Sequence, residues 1–136
     1  MNRTIALIEK GKDGVFGIFT PELEHSIMGE GRTVIEAKDD FQNSVVEMIA
    51  SYTEDNKDVP DELKRISFEY KYDIASFFDY YDFINISRFA IYAGINPSLL
   101  RQYKSGTTNY ISEAQMKKIE TALHKVGSEL SDVQLV

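Results

Sequence analysis

Short apolar runs separated by turn residues mark the first 30 residues of the chain. Residues 4–8 (TIALI) and 15–20 (VFGIFT) each have the length and composition of a β-strand. The two glycines in residues 10–14 (KGKDG) predict a hairpin turn between these strands. A third short strand is predicted over residues 25–30 (HSIMGE). Three strands form a sheet with an apolar face, which another element must cover.

The element that follows has helical periodicity. Over residues 34–52, apolar residues recur every three or four positions, which predicts one long amphipathic helix. Thr33 is a typical N-cap residue, and Glu36 lies three residues further on, as in a capping box. Residues 66–70 (ISFEY) alternate again and predict a fourth strand, which either joins the sheet or lies at a subunit contact. The order β-β-β-α-β predicts a small α+β domain over residues 1–71.

Only helical patterns occur in the remaining residues, 72–136, which predict an all-α domain. Asp73 is placed to cap a first helix that ends near Tyr81. Ser112 is placed to cap a last long helix, and we expect Gly127 to end it. Four apolar residues of that last helix are expected to face inward: Met116, Ile119, Leu123 and Val126.

Residues 85–106 (NISRFAIYAGINPSLLRQYKSG) have the spacing of a helix-turn-helix. Ala90 is small enough for two helices to cross closely. Gly94 supplies the positive φ that a sharp turn needs, and Ile95 follows as an apolar plug for the corner. Gly106 is placed to end the second helix. In proteins with this motif the second helix usually enters the major groove of DNA.

The outer face of that second helix carries the candidate DNA-binding residues. They are Asn96, Pro97, Ser98, Arg101, Gln102 and Lys104. Arg101 can pair bidentately with guanine and Gln102 with adenine, whereas Asn96, Ser98 and Lys104 suit phosphate oxygens. Tyr110 and Lys117 are further candidates for phosphate contacts. The core of the motif is expected to consist of Phe89, Ala90, Ile95, Leu100 and Tyr103. The alternative is a helix pair used only for packing or dimerisation.

Composition narrows the class of protein. The chain has 136 residues, of which 43% are apolar and none is cysteine, so it can fold but cannot form disulfides or thiolate metal sites. The histidines, His25 and His124, are far apart, and we expect no metal site and no cofactor. The chain has no signal peptide pattern and no apolar run long enough for a membrane span, so we expect a soluble cytoplasmic protein that does not bind membranes.

Charge is unevenly distributed along the chain, whose net charge is −7. Residues 1–83 contain 9 Lys/Arg and 18 Asp/Glu, whereas residues 84–127 contain 6 Lys/Arg and only two acidic residues, Glu113 and Glu120. An acidic half joined to a basic segment suggests two partners of opposite charge. The alternative is a chance contrast within an acidic protein.

The first half resembles the HicB antitoxin family. The resemblance covers about residues 4–52 and rests on a strand, a glycine-containing hairpin, a second strand that ends in Phe19-Thr20-Pro21, and the segment from Gly29 to Ala37. The family usually has a tighter Gly-Asp-Thr before its Glu-Ala pair, and here extra residues separate Gly29 from Thr33. A HicB-like domain followed by a helix-turn-helix is a known arrangement in the family, and residues 68–130 look like one bacterial subgroup of it.

The resemblance implies a toxin–antitoxin role. The first domain, with a partial RNase H-like fold, would bind a small basic mRNA-cleaving toxin called HicA. The second would bind double-stranded operator DNA and repress the operon, as a homodimer or higher even oligomer, because one recognition helix reads too few base pairs alone. The alternatives are an orphan transcription regulator whose first domain binds another protein or a small ligand, and an interaction module that does not bind DNA.

Catalysis is not expected, although RNase H-like folds include nucleases. Such an enzyme needs several carboxylates that converge on two metal ions. Directly beside the first two predicted strands the one carboxylate is that of Glu9, while Asp39, Asp40 and Glu47 lie on the predicted helix, where carboxylates are normally solvated. We therefore expect no catalytic residues and no enzymatic activity.

Overall fold

The structure, a computed structural model, describes residues 2–107 and 111–136. Within these ranges the protein is α+β, with four strands in one mixed sheet and five α-helices. The elements are β1 (Asn2–Lys10), β2 (Phe16–Phe19), β3 (Met28–Gly31), α1 (Val34–Glu54), β4 (Ile66–Tyr72), α2 (Ile74–Tyr80), α3 (Ile86–Ala93), α4 (Pro97–Ser105) and α5 (Glu113–Ser131). A short 3₁₀ turn, Asp61–Leu63, precedes β4.

The chain divides into two compact units, unit 1 (Met1–Ser76) and unit 2 (Phe77–Val136). The division falls inside α2, five residues after the boundary between the two domains expected from the sequence.

Unit 1 contains the whole sheet, in the order β3-β2-β1-β4. The first three strands are antiparallel neighbours, as the predicted hairpin requires. The fourth strand joins the sheet beside β1 and runs parallel to it, with Thr4 opposite Phe68. Residues 66–70 therefore join the sheet, the first of the two placements expected from the sequence.

Helix α1 covers one face of this sheet. The strand residues on that face, such as Ile8 and Ile18, are buried, and Phe41 of α1 is fully buried against them. The Phe41 ring makes an edge-to-face contact with Phe68, with centroids 4.9 Å apart. A Cβ added at Gly29 would overlap the backbone of Phe41. Glycine in β3 therefore allows α1 to lie close to the sheet.

The start of α1 has the predicted cap. The Thr33 hydroxyl accepts a hydrogen bond from the Glu36 N–H at 3.1 Å. The Glu36 carboxylate accepts one from the N–H of Arg32 at 3.0 Å, one residue before the position reached in a standard capping box. Both bonds satisfy N–H groups at or just before the helix start.

The described residues of unit 2 form helices joined by short turns, and no strand occurs among them. Its core contains the fully buried Phe78, whose ring packs against that of Phe89 with centroids 5.8 Å apart, and Ile119 of α5. The predicted burial of the helix-pair core is confirmed for all its members: Phe89, Ala90, Ile95, Leu100 and Tyr103.

Helix α5 differs from expectation at its end. The Ser112 cap is confirmed by the hydrogen bond that its hydroxyl accepts from the N–H of Gln115. The prediction that Gly127 ends the helix is wrong, because α5 continues to Ser131. A glycine inside a helix costs only about 1 kcal/mol relative to alanine, which its neighbours can offset. Met116, expected to face inward, is 43% exposed.

Candidate nucleic-acid interface

The turn between α3 and α4 is built around one glycine. Gly94 has φ +77° and ψ +32°, the left-handed conformation that ends a helix. Its N–H donates to the carbonyl of Ile91 at 3.1 Å, and the N–H of Ile95 donates to the carbonyl of Ala90 at 2.9 Å. These two bonds form a Schellman motif. They point the Ile95 side chain inward, where it is 4% exposed.

Both ends of α4 are fixed by similar local chemistry. At its start, the side-chain oxygen of Asn96 accepts from the N–H of Ser98 at 2.8 Å, and Pro97 occupies the first turn. At its end, Gly106 has φ +76°, and the N–H of Thr107 donates to the carbonyl of Gln102 at 3.1 Å. The length of α4 is therefore set by residues that can be identified in the sequence.

Helix α4 has one buried face and one polar exposed face. Leu100 and Tyr103 face the core of unit 2. The sequence-predicted site residues all reach the surface of α4 or its first turn: Asn96, Ser98, Arg101, Gln102 and Lys104 are exposed, and Pro97 is half-buried. The structure thus brings the six together on one face of a nine-residue helix.

The Arg101 side chain is held by two hydroxyl groups. Its Nη1 donates to Ser87 Oγ at 2.7 Å, and its Nη2 donates to Ser98 Oγ at 3.1 Å. Ser87 lies in the first turn of α3, so Arg101 connects the starts of the two helices. This arrangement restricts the guanidinium to the surface where both helix N-termini carry partial positive charge. Sequence reasoning missed Ser87, because no local pattern relates residues 14 positions apart.

A shallow groove adjoins this guanidinium group. Its polar lining includes Ser87, Arg101, Lys104 and Ser105. Residues 84–112 contain three Lys/Arg and no Asp or Glu, so the groove lies in a segment of only positive formal charge. Two cations, two hydroxyls and a helix N-terminus are groups that bind phosphate oxygens in protein–DNA complexes.

A second groove lies between α3 and α5 of unit 2. It is lined by Tyr92 and Ala93 of α3 and by three lysines of α5, Lys117, Lys118 and Lys125, together with Ala114, Thr121 and Ala122. The ammonium of Lys125 lies 5.6 Å from the centre of the Tyr92 ring. Of the two further phosphate-binding candidates, Lys117 therefore lines a cationic groove, while Tyr110 lies outside the described residues.

In residues 2–107 and 111–136, no three His, Asp or Glu side chains come together as a metal-binding group. No helix among these residues combines the length and the apolar character needed to cross a membrane. The chain matches no family model, no curated protein and no solved structure. The functional assignment therefore depends on the residues and their geometry.

Proposed function

We propose that this protein is an antitoxin of the HicA/HicB type that binds its own operator DNA through α4 and a small basic mRNA-cleaving toxin through unit 1. The observation that carries the proposal is the α3–turn–α4 pair, which has a buried apolar side and an exposed polar side. Arg101, Gln102 and Lys104 all lie on that exposed side. In this proposal the pair is a helix-turn-helix.

The chemistry of α4 fits the major groove of DNA. An α-helix with its side chains is about 10–12 Å across, which fits a major groove about 12 Å wide. Gln102 has the donor and acceptor needed for an adenine edge, and Arg101 has the paired donors for a guanine edge. Lys104 and the hydroxyls beside it would bind phosphates and so set the orientation of α4 in the groove.

The state of Arg101 suggests an order of events on DNA. Its hydrogen bonds to Ser87 and Ser98 hold the guanidinium near the protein surface before binding. To reach a guanine edge, Arg101 exchanges these exposed hydroxyl contacts for base contacts, which costs little because water solvates the released hydroxyls. If Arg101 keeps its hydrogen bonds to Ser87 and Ser98, it would bind a phosphate instead of a base.

The composition of unit 1 fits a basic protein partner. Residues 1–76 contain 9 Lys/Arg and 16 Asp/Glu, so unit 1 attracts a cationic toxin over several ångströms in solution. An antitoxin needs only to cover the active site of the toxin, so no catalytic residue is required on this chain. The resemblance of residues 4–52 to HicB antitoxins supports the same assignment, as does the β-β-β-α-β order of unit 1.

Operator binding implies more than one copy of the chain. A single α4 contacts a few base pairs, and specific sites are usually read by two such helices one turn of DNA apart. We therefore propose a homodimer or higher even oligomer. The edge strand β4 and the helix α2 are the candidate contacts.

The DNA-binding half of the proposal is tested with the full-length chain. Fluorescence anisotropy would compare a duplex from the promoter upstream of its gene with a scrambled duplex of the same length. Arg101→Ala/Gln102→Ala should reduce promoter affinity by about 10- to 100-fold and remove the preference for the promoter. Lys57→Ala/Asn43→Ala removes the same charge from unit 1 and should bind as the wild type does. Equal promoter affinity for all three proteins would reject this role for α4.

The toxin-binding half is tested by growth rescue. The proposal requires a short basic protein to be encoded beside this chain, and that protein would be expressed alone and together with the full-length chain. Co-expression should restore growth, and it should do so for Arg101→Ala/Gln102→Ala as well, because the toxin is proposed to bind unit 1. Promoter binding without rescue would favour the orphan regulator, and rescue without promoter binding would favour the pure interaction module.

A further inference from the structure

The sheet of unit 1 has a second face, opposite the one that α1 covers. Strand residues alternate between faces. Ile8 and Ile18 are buried on the α1 side, and Gly29 meets Phe41 there. Their neighbours along the strands therefore lie on the opposite face, which we call the open face of unit 1. Its residues are Arg3, Ile5, Leu7 and Glu9 of β1, Gly17 and Phe19 of β2, Met28 and Glu30 of β3, and Ser67, Glu69 and Lys71 of β4.

One row across the open face is apolar. The register places Leu7 opposite Phe19, and Phe19 opposite Met28. Leu7 and Phe19 are half-buried, and Met28 is 66% exposed. A strand on the surface of a monomer usually turns polar residues outward, so a contiguous apolar row across three strands indicates a contact surface.

The next row is acidic and has a gap in its centre. Glu9 lies opposite Gly17, and Gly17 lies opposite Glu30. Both carboxylates are exposed. Because neighbouring strands are about 4.8 Å apart, the backbones that carry the two carboxylates are separated by about 10 Å. Gly17 has no side chain to fill this space, and a Cβ built there would meet no atom within 4 Å.

Nothing in the local structure of β2 requires a glycine at position 17. Its φ lies outside the left-handed region, so any L-residue can adopt its backbone conformation. Glycine inside a strand weakens it and often marks a place where another molecule approaches closely. The gap over Gly17, between two carboxylates, has the size and charge to accept a lysine or arginine side chain.

Other charged residues of the open face do not cancel the attraction of Glu9 and Glu30 for a cationic side chain. Arg3 projects from the same side of β1 and pairs with Glu69, with 3.5 Å between Nε and Oε2. Lys71 lies beside Leu7, at the end of the apolar row away from Glu30. The acidic row therefore keeps its negative charge. An adjacent apolar row provides the area that a protein partner, rather than a small cation, would bury.

We propose that the open face of unit 1 is the docking surface for the basic partner protein, which inserts a lysine or arginine over Gly17 between Glu9 and Glu30 and packs apolar side chains on Leu7, Phe19 and Met28. The identification of this partner as the toxin rests on the proposed function. The charge-paired insertion and the apolar row together give the partner one orientation on the sheet.

The test uses the full-length chain and, in purified form, the short basic protein that the proposed function requires beside it, with affinity measured by calorimetry. Gly17→Val fills the gap with a residue that favours strands, so the melting temperature should stay the same or rise while affinity falls by about 10-fold or more. Glu9→Lys/Glu30→Lys, at two exposed positions, should reduce affinity by about 100-fold. Asp39→Lys/Glu47→Lys makes the same charge change on the exposed side of α1 and should lose far less affinity.

The outcomes separate the two proposals. If the wild type binds and both open-face variants are weak while the α1 control is not, the docking surface is supported. If the wild type binds and the open-face variants bind equally well, the docking surface is wrong while the antitoxin proposal stands. If Gly17→Val fails to fold, the Glu9→Lys/Glu30→Lys result decides. A wild type that does not bind the basic protein rejects the antitoxin proposal and this docking surface with it.

Discussion

The two units present their exposed chemistry on different kinds of scaffold. In unit 2, Arg101 and Lys104 lie on one short helix whose two ends are fixed by neighbouring residues. In unit 1, Glu9, Gly17 and Glu30 come from three strands, and only the register of the sheet places them in one row. A local change in α4 therefore alters its whole exposed face, whereas the row in unit 1 persists as long as the strands keep their register.

The units also differ in charge. Unit 1 carries 9 Lys/Arg and 16 Asp/Glu, whereas unit 2 carries 6 of each and has no acidic residue between positions 84 and 112. A polyanion and a cationic protein would therefore be attracted to different parts of the chain. Raising the ionic strength should weaken both associations, because both depend on charge attraction.

The largest expected effect is a loss of stability in unit 1 when Gly29 is replaced. In Gly29→Ala the new Cβ would overlap the backbone of Phe41, which cannot move without α1. We expect a loss of about 3 kcal/mol in the stability of unit 1. Hydrogen exchange should show faster opening of the strand amides with unchanged exchange in α4. Gly17→Ala is the matched control, since its Cβ enters open space; equal losses for both would contradict this account of α1 packing.

A somewhat smaller loss of stability is expected in unit 2 when Gly94 is replaced. Gly94→Val places a β-branched residue at φ +77° and should destabilise the α3–α4 pair by about 1–3 kcal/mol. The measurement is again amide exchange, now faster in α3 and α4 than in the sheet. In Gly127→Ala the glycine lies inside α5 with open space around it, so this control should gain about 0.5–1 kcal/mol. A stable Gly94→Val protein would argue against a strained turn.

The same contrast explains what the sequence could and could not predict. Caps and left-handed glycines act within a few residues, so Gly94, Asn96 and Gly106 are sufficient to predict the end of α3 and both ends of α4. The end of α5 was mispredicted because Gly127 satisfies the local rule for a stop, while the neighbouring helix residues outweigh it.

Long-range contacts left no such local signal. The hydrogen bond from Arg101 to Ser87 joins residues 14 apart, and the row of Glu9, Gly17 and Glu30 depends on strand register. Alternation alone gives the face of each residue but not its partner on the next strand. The sequence therefore predicted the order of elements and the residues of α4, but not the open face of unit 1.

A third prediction distinguishes base contacts from phosphate contacts on α4. Arg101→Ala should weaken promoter binding by about 1–3 kcal/mol and relax its sequence preference. Lys104→Ala should weaken promoter and scrambled duplexes equally and reduce the slope of log affinity against log salt by about 1. Anisotropy titrations at several salt concentrations provide both quantities. If the two variants behave alike, Arg101 acts as a phosphate clamp and does not read a base.

The smallest effect concerns the hydroxyl that holds Arg101. Ser87→Ala removes the 2.7 Å hydrogen bond to Nη1, and it should weaken promoter binding by about 0.5–1.5 kcal/mol if Arg101 keeps that bond on DNA. If Arg101 exchanges the bond for base contacts, promoter affinity should not change. Ser131→Ala, at the end of α5, is the control and should have no effect. The same promoter titration would be repeated with Ser87→Ala in the Arg101→Ala background.

The double-mutant cycle then assigns the role of the hydroxyl. If Ser87 acts only through Arg101, its removal should cost nothing further once Arg101 is alanine, so the two effects would not add. If Ser87 contacts a phosphate itself, the loss should persist in the Arg101→Ala protein and should be equal for promoter and scrambled duplexes. Additive effects would therefore reject the positioning role and place Ser87 among the direct contacts of α3. A non-additive result would mean that the start of α3 takes part in recognition only by holding a side chain of α4.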